Sequence, residues 1–215
     1  VAFISGGKEY GVIIAPKHLA FNDTEINRTG VSVFMTEQQA RENELRGTQA
    51  AIEDAGALGV MTAFNRVGIT AANAHTGLLK NILRGEWGFK GLESQDFIMN
   101  PNYAVLKEYA LNGGTMTTFT GENTMAAVSE KFAYWTTENV GQDTELMSAI
   151  KQAMTWQAYA LANSNALDGM ASSTRLVSVR TWYDNALVAV QVVFAALTVL
   201  AAAMYVLNDR KSKKQ

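Results

Sequence analysis

Along residues 1–185, short apolar runs alternate with longer segments in which apolar side chains recur every three or four positions. Runs of the first kind suit buried strands and segments of the second suit amphipathic helices, so the alternation predicts βα units around a parallel sheet. Strands are expected at 12–15, 60–64, 92–97 and 115–119. Thr36 followed three residues on by Gln39 reads as a capping box opening a helix to about residue 55, with Gly56 and Gly59 closing it. Further helices are expected at about 74–83, at about 103–111 before Gly113 and Gly114, and at about 144–162, with the polar stretch 163–173 as a linker. The opening residues, VAFISGGKEYGVIIAPKH, carry no signal-peptide pattern and read as a chain already inside a domain.

The pattern breaks at residue 186. Residues 186–207 hold no charge, and Gln191 is their one strongly polar side chain. At about 1.5 Å per residue this stretch reaches about 33 Å, enough to cross a hydrocarbon layer of about 30 Å. Trp182 and Tyr183 precede it and Tyr205 lies near its end, where aromatic rings favour the headgroup layer. Arg210, Lys211, Lys213 and Lys214 follow it, against Arg175 and Arg180 before it. The excess of cations places the tail in the cytoplasm and everything upstream outside. A single-pass protein of the cell membrane is expected, with the lipid bilayer as partner: a sheet-and-helix part over 1–143, a closing helix and juxtamembrane linker over 144–185, a transmembrane helix over 186–207 and a basic tail over 208–215.

Four βα units are half of a (β/α)8 barrel, whose complete form takes about 250 residues. Half a barrel exposes two parallel strand edges, so the rest is expected from a longer parent chain or from a second half. With 18 basic against 20 acidic residues and a net charge of -2, no global positive field exists to hold nucleic acid. The absence of cysteine excludes thiolate catalysis, disulfides and cysteine-ligated zinc. No cofactor is implied.

In barrels of this kind the reacting groups gather at the C-terminal ends of the strands. Those ends carry Lys17 and His18, then Asn65 and Arg66, then Asp96, then Glu122. A Lys-His pair is able to donate hydrogen bonds to sugar hydroxyls and a strand-end carboxylate is able to attack an anomeric carbon, but the same residues also serve as plain polar groups at loop starts, and composition alone does not decide between the two. His75, in AANAHTG before a helix, is expected to be a surface or capping residue.

Three segments carry a resemblance: KHLAFNDTEINRTG (17–30), GVMTAFNRVG (59–68) and LLKNILRGEWGFKGLESQDF (78–97). Together they resemble the barrel of family 3 glycoside hydrolases, the β-glucosidase-like enzymes, in order and at matching spacing over about residues 10–125. The resemblance implies the C-terminal half of a (β/α)8 barrel. It implies that Lys17 and His18 hydrogen-bond the sugar, that Met61 lines the cleavage subsite, that Phe64 stands beside the nucleophile, and that Asp96 is that nucleophile. The substrate implied is a β-glucoside or β-linked oligosaccharide. The acid/base implied lies on an α/β sandwich domain of the parent chain, with Glu122 as an alternative within this chain.

Departures from the family pattern bear on activity. Phe64 replaces a tyrosine, Gln95 and Phe97 replace serine and tryptophan around Asp96, and Glu93 and Ser94 are polar where the strand is usually apolar. The Gly-His-Gly-Asp loop of the N-acetylglucosaminidase branch is absent, which favours glucosidase-like specificity. Two function classes follow: a retaining β-glycosidase of which this chain bears the nucleophile, or a non-catalytic, membrane-anchored glycan-binding or scaffold module.

Overall fold

The computed structural model describes residues 1–28, 31–97, 105–118, 135–170, 173–175 and 177–213. It divides into two units, 1–169 and 170–215.

The first unit is built on a parallel sheet of β1 (Lys17–Leu19), β3 (Gly59–Thr62) and β6 (Leu92–Gln95), with β3 in the middle. Its register pairs Lys17 with Met61 and Met61 with Ser94. Parallel neighbours need crossovers, and helices supply them. Between β1 and β3 run α2 (Glu37–Gln39), a π-helical segment (Ala40–Glu44) and α3 (Arg46–Glu53). The expected capping box is present: Thr36 N donates to Gln39 Oε1 and Gln39 N to Thr36 Oγ1, both at 3.2 Å. Gly56 ends the run with φ 63°, a backbone state that glycine adopts without strain. Gly59, expected to close the same helix, instead opens β3, because its bare Cα lets Ala15 pack against it.

Between β3 and β6 lie a short 3₁₀ turn (Ala72–Ala74) and a π-helical segment (Gly77–Glu86), which begins later and runs further than the expected 74–83. His75 caps it as expected, its Nδ1 accepting from Leu78 N at 3.0 Å. After β6, α4 (Leu106–Leu111) returns the chain; residues 103 and 104 of the expected helix lie outside the described residues. The fourth expected strand reduces to a single parallel bridge of Met116 to Ser94, and its residue 119 is likewise outside them.

The first expected strand is displaced. Residues 12–15 form no ladder; pairing begins where Met61 N donates to Pro16 O at 3.2 Å and Ala63 N to Leu19 O at 2.8 Å. Because β3 starts only at Gly59, the residues before Ala15 face no partner strand. Other elements carried no sequence signal. α1 (Ala2–Glu9) precedes the sheet, and β2 (Ser32–Val33), β4 (Arg66–Val67) and β5 (Thr70–Ala71) form a small second sheet just beyond β1 and β3. The core gathers Leu19, Val60, Leu79, Leu83, Phe89 and Tyr109 between sheet and helices.

Two helices complete the unit: α5 (Thr137–Gln142) and α6 (Thr144–Ala162), the latter where the sequence predicts it. Asp143 caps α6 by accepting from Leu146 N at 3.0 Å. Leu146, Ala153 and Ala160, seven residues apart, are its buried stripe. The stretch expected as a linker is partly built in, since Asn165 donates through N to Gly11 O at 2.8 Å and through Nδ2 to Tyr10 O at 2.9 Å.

The second unit contains α7 (Trp182–Ser212), whose span Trp182–Asp209 is long and apolar enough to cross a membrane, with none of its apolar window buried. Thr181 and Asp184 cap each other at its start: Thr181 N and Oγ1 donate to Asp184 Oδ2 at 2.8 and 2.6 Å.

Candidate active site

Side chains alternate across a strand, and parallel strands in register present matching faces. Lys17, Met61 and Ser94 therefore share one face, and Asp96, two residues past Ser94, continues it beyond the end of β6. The opposite face carries Val60, Thr62, Glu93 and Gln95, turned toward the helices.

Asp96 is 8% exposed. Its backbone is anchored by Asp96 N donating to Thr62 O at 3.1 Å, and its Oδ1 accepts from Phe97 N at 2.8 Å. Its Oδ2 lies 3.1 Å from His18 Nε2 and 3.7 Å from Arg28 Nη1. β1 itself carries His18, and the loop after it brings Arg28 in. Phe21, with φ 69°, and Asn27, with φ 55°, both turn the backbone left-handed. Asparagine tolerates that state, whereas the buried Phe21 is held in it by its surroundings. Arg28 rests on the ring of Phe64, its guanidinium carbon 4.5 Å from the centroid, and pairs with Glu25 Oε2 at 3.0 Å. Asn22 Nδ2 reaches Glu25 Oε1 at 3.1 Å and His18 Nδ1 at 3.4 Å. Burial, ahead of the opposing pull of Asp96, keeps His18 below the usual histidine range.

Of the residues singled out from sequence, His18 and Asp96 touch, and Phe64 joins them through Arg28. Lys17 is exposed, with no ion pair among the described residues, and Met61, half-buried, stands opposite it in register. Arg66 lies in β4 of the small sheet and Asn65 is buried at its start. Glu122 lies outside the described residues. Arg28, Asn22 and Glu25 are the site residues that sequence reasoning passed over; their signal was three polar side chains spaced by three in the loop directly after the Lys-His pair.

Behind the site, Glu93 is fully buried, with Oε1 accepting from Thr62 Oγ1 at 2.8 Å and Oε2 without a hydrogen-bond partner among the described residues. Desolvation pushes its carboxyl up to about 7. Gln95 Oε1 accepts from Asn73 Nδ2 at 2.7 Å beside it. The apolar groove of about 460 Å³ lined by Phe21, Val33, Phe34, Val67 and Leu78 includes none of His18, Arg28, Phe64 and Asp96. No group of three His, Cys, Asp or Glu side chains among the described residues is placed to hold a metal.

Taken as chemistry, a buried carboxylate at a strand end, with an imidazole nitrogen and a guanidinium beside one oxygen, is a group that neighbouring donors can orient. Such a group suits nucleophilic attack.

The profile described as the glycosyl hydrolase family 3 N terminal domain matches residues 1–115. Among curated proteins, the probable beta-glucosidase J of Emericella nidulans is 40% identical over 96 residues, covering 45% of this chain and 11% of that protein. Beta-glucosidase B of the same organism is 41% identical over 95 residues, covering 44% and 11%. The chain thus spans about a tenth of the length of these relatives. Among solved structures, beta-glucosidase 3B from Thermotoga neapolitana in complex with α-D-glucose superposes with a TM-score of 0.65 at 23% identity, covering 77% of this chain and 23% of that one. The Kluyveromyces marxianus beta-glucosidase in complex with glucose gives 0.53 at 26% identity, covering 74% and 19%.

Proposed function

This chain belongs to glycosyl hydrolase family 3, and from that premise we propose that it carries the nucleophile side of a retaining β-glucosidase-type active site. Its substrate is a β-glucoside or the terminal β-linked sugar of an oligosaccharide. The observation that carries this reading is the placement of Asp96 just past β6, buried and faced by His18 and Arg28.

In the first step an Asp96 carboxylate oxygen bonds to the anomeric carbon while the bond from that carbon to the departing oxygen breaks, and the departing oxygen takes a proton from a carboxylic acid. In the second step water adds to the anomeric carbon, its proton goes to that same carboxylate, and Asp96 leaves as a carboxylate. Lys17, His18 and Arg28 hydrogen-bond the sugar or the charged carboxylate, and Met61 and Phe64 wall the subsite. The acid belongs to the α/β sandwich domain of a longer polypeptide that also supplies the other barrel strands, with Glu122 the alternative within this chain. The beta-glucosidases that it resembles are much longer, this chain covering 11% of each. α7 anchors the assembly in the cell membrane, with residues 1–169 outside and the basic tail in the cytoplasm.

Incubating the longer parent protein with a 2-fluoro β-glucoside tests the reading, since an active nucleophile becomes covalently labelled and Asp96→Ala prevents it. Azide sharpens the test: Asp96→Gly with azide should yield a glycosyl azide of inverted configuration. A specific observation favours a second reading. Phe64 spends its ring on Arg28 and has no hydroxyl to offer near Asp96, as a degenerate glycan-binding or scaffold module would allow. Binding of glucosides without labelling or azide rescue would decide for that module.

A further inference from the structure

We propose that Asn22 is a positioning residue for His18: by giving one amide hydrogen to Nδ1 and the other to Glu25, it holds the ring as a neutral imidazole whose Nε2–H donates to Asp96. The proposal rests on the reading of Asp96 as an ionised nucleophile. Its observations are geometric.

Five side chains close a circuit. Asp96 Oδ2 meets His18 Nε2 at 3.1 Å, His18 Nδ1 meets Asn22 Nδ2 at 3.4 Å, and Asn22 Nδ2 meets Glu25 Oε1 at 3.1 Å. Glu25 Oε2 meets Arg28 Nη1 at 3.0 Å, and Arg28 Nη1 returns to Asp96 Oδ2 at 3.7 Å. An ionised carboxylate only accepts, so each carboxylate fixes the group facing it. Asp96 requires the hydrogen of His18 on Nε2. Glu25 requires the amide of Asn22 to present its nitrogen, since the flipped amide would set Oδ1 against a carboxylate oxygen. The orientation holds although, among the described residues, it leaves Asn22 Oδ1 buried without a partner, so the nitrogen end decides it. Its second hydrogen then points at His18 Nδ1, and protonation there would bring N–H against N–H.

A histidine beside a carboxylate ordinarily gains a proton and becomes an imidazolium. The groups facing His18 are Asp96 and Glu25, which favour the charged ring, and Lys17 and Arg28, which oppose it; burial opposes it too. The Asn22 donor adds to that opposition at the one atom where the second proton would bind. A neutral N–H orients Asp96 and strengthens its hydrogen bond as negative charge returns to the carboxylate, without delivering a proton to the nucleophile.

The test is nitrogen-15 NMR of the 215-residue chain in detergent, labelled at histidine. The sequence has two histidines, and a His75→Gln variant assigns them. His18 is expected to be neutral and protonated at Nε2 at pH 7. Asn22→Asp replaces the donor with a charged acceptor and should raise the pH at which His18 titrates by about one unit or more. Asn22→Leu, which only removes the donor, should raise it less. A His18 ring protonated at Nδ1 in the parent chain, or a titration unchanged in both variants, would overturn the proposal. The readout needs no turnover. A chain that fails covalent trapping yet shows the neutral ring would lose the nucleophile reading and keep the orientation of His18, so the two failures are told apart.

Discussion

Arg28 joins three functions in one side chain: its charge faces Asp96, its plane lies on Phe64, and its pairing with Glu25 ties the loop after β1 together. Removing it leaves Asp96 with one donor fewer and the loop unpinned. In the longer polypeptide proposed above, Arg28→Met should lower kcat/KM for an aryl β-glucoside by about 10 to 150-fold, the range for a charged contact of about 1.5 to 3 kcal/mol. Parental kinetics would remove Arg28 from the site. Glu93 makes a different prediction. Its folded-state pKa of about 7 stands above its ordinary value of 4.5, so between those pH values the folded chain holds a proton that the unfolded chain has lost. Stability is then greatest below about pH 4.5 as far as this group goes, and falls as pH rises through 7, by on the order of 3 kcal/mol. The thermal midpoint in detergent, compared at pH 5 and pH 8, should drop more for the parent chain than for Glu93→Gln; parallel behaviour would show that Glu93 does not titrate in this window.

Between elements, Arg84 does at the back of the sheet what Arg28 does at its front. It stands in the π-helical segment Gly77–Glu86 and donates to Gly113 O at 3.1 and 2.7 Å, to Phe89 O at 3.0 Å and to Gly91 O at 2.9 Å. Its guanidinium carbon lies 3.8 Å from the centroid of Trp156 on α6. One planar group thus fixes the entry to β6, the turn after α4 and the face of α6, which together determine where Asp96 emerges. Burial pushes Arg84 down to about 10, still charged at neutral pH. Arg84→Met would leave these buried carbonyls without donors and should destabilise the chain by roughly 3 to 5 kcal/mol. Arg84→Lys should recover only part, because an ammonium cannot serve carbonyls spread around a plane. Denaturant midpoints of the two variants measure this, and a midpoint unchanged in Arg84→Met would show the carbonyls satisfied otherwise.

At the scale of the whole molecule, the chain divides into the unit 1–169 and a second unit that contains the long apolar helix α7. The cations from Arg210 onward, at the end of α7 and just past it, set the expected orientation. Protease added to intact cells should digest residues 1–169 while a tag placed after Gln215 survives. Loss of the tag with retention of the upstream unit would reverse the topology.

The sequence by itself determined the features that depend on neighbours in the chain. The capping box at Thr36, the stop at Gly56, the helix 144–162 and the uncharged run before the basic tail are all local patterns of spacing, and the structure repeats them. The place of Asp96 at the end of a strand was equally legible, because strand and carboxylate are consecutive. Tertiary structure alone decided the start of β1, since a three-residue strand exists only where β3 offers it a partner. It reduced the last expected strand to a bridge, made a two-residue strand of Arg66, and buried Glu93 against Thr62 in a face that composition marks as polar. It also gathered Asn22, Glu25 and Arg28 into the circuit around His18 and Asp96. Hydrogen-bond partners far apart in sequence and left-handed turns at Phe21 and Asn27 leave no periodic trace, because their energy is fixed by what the folded chain sets beside them.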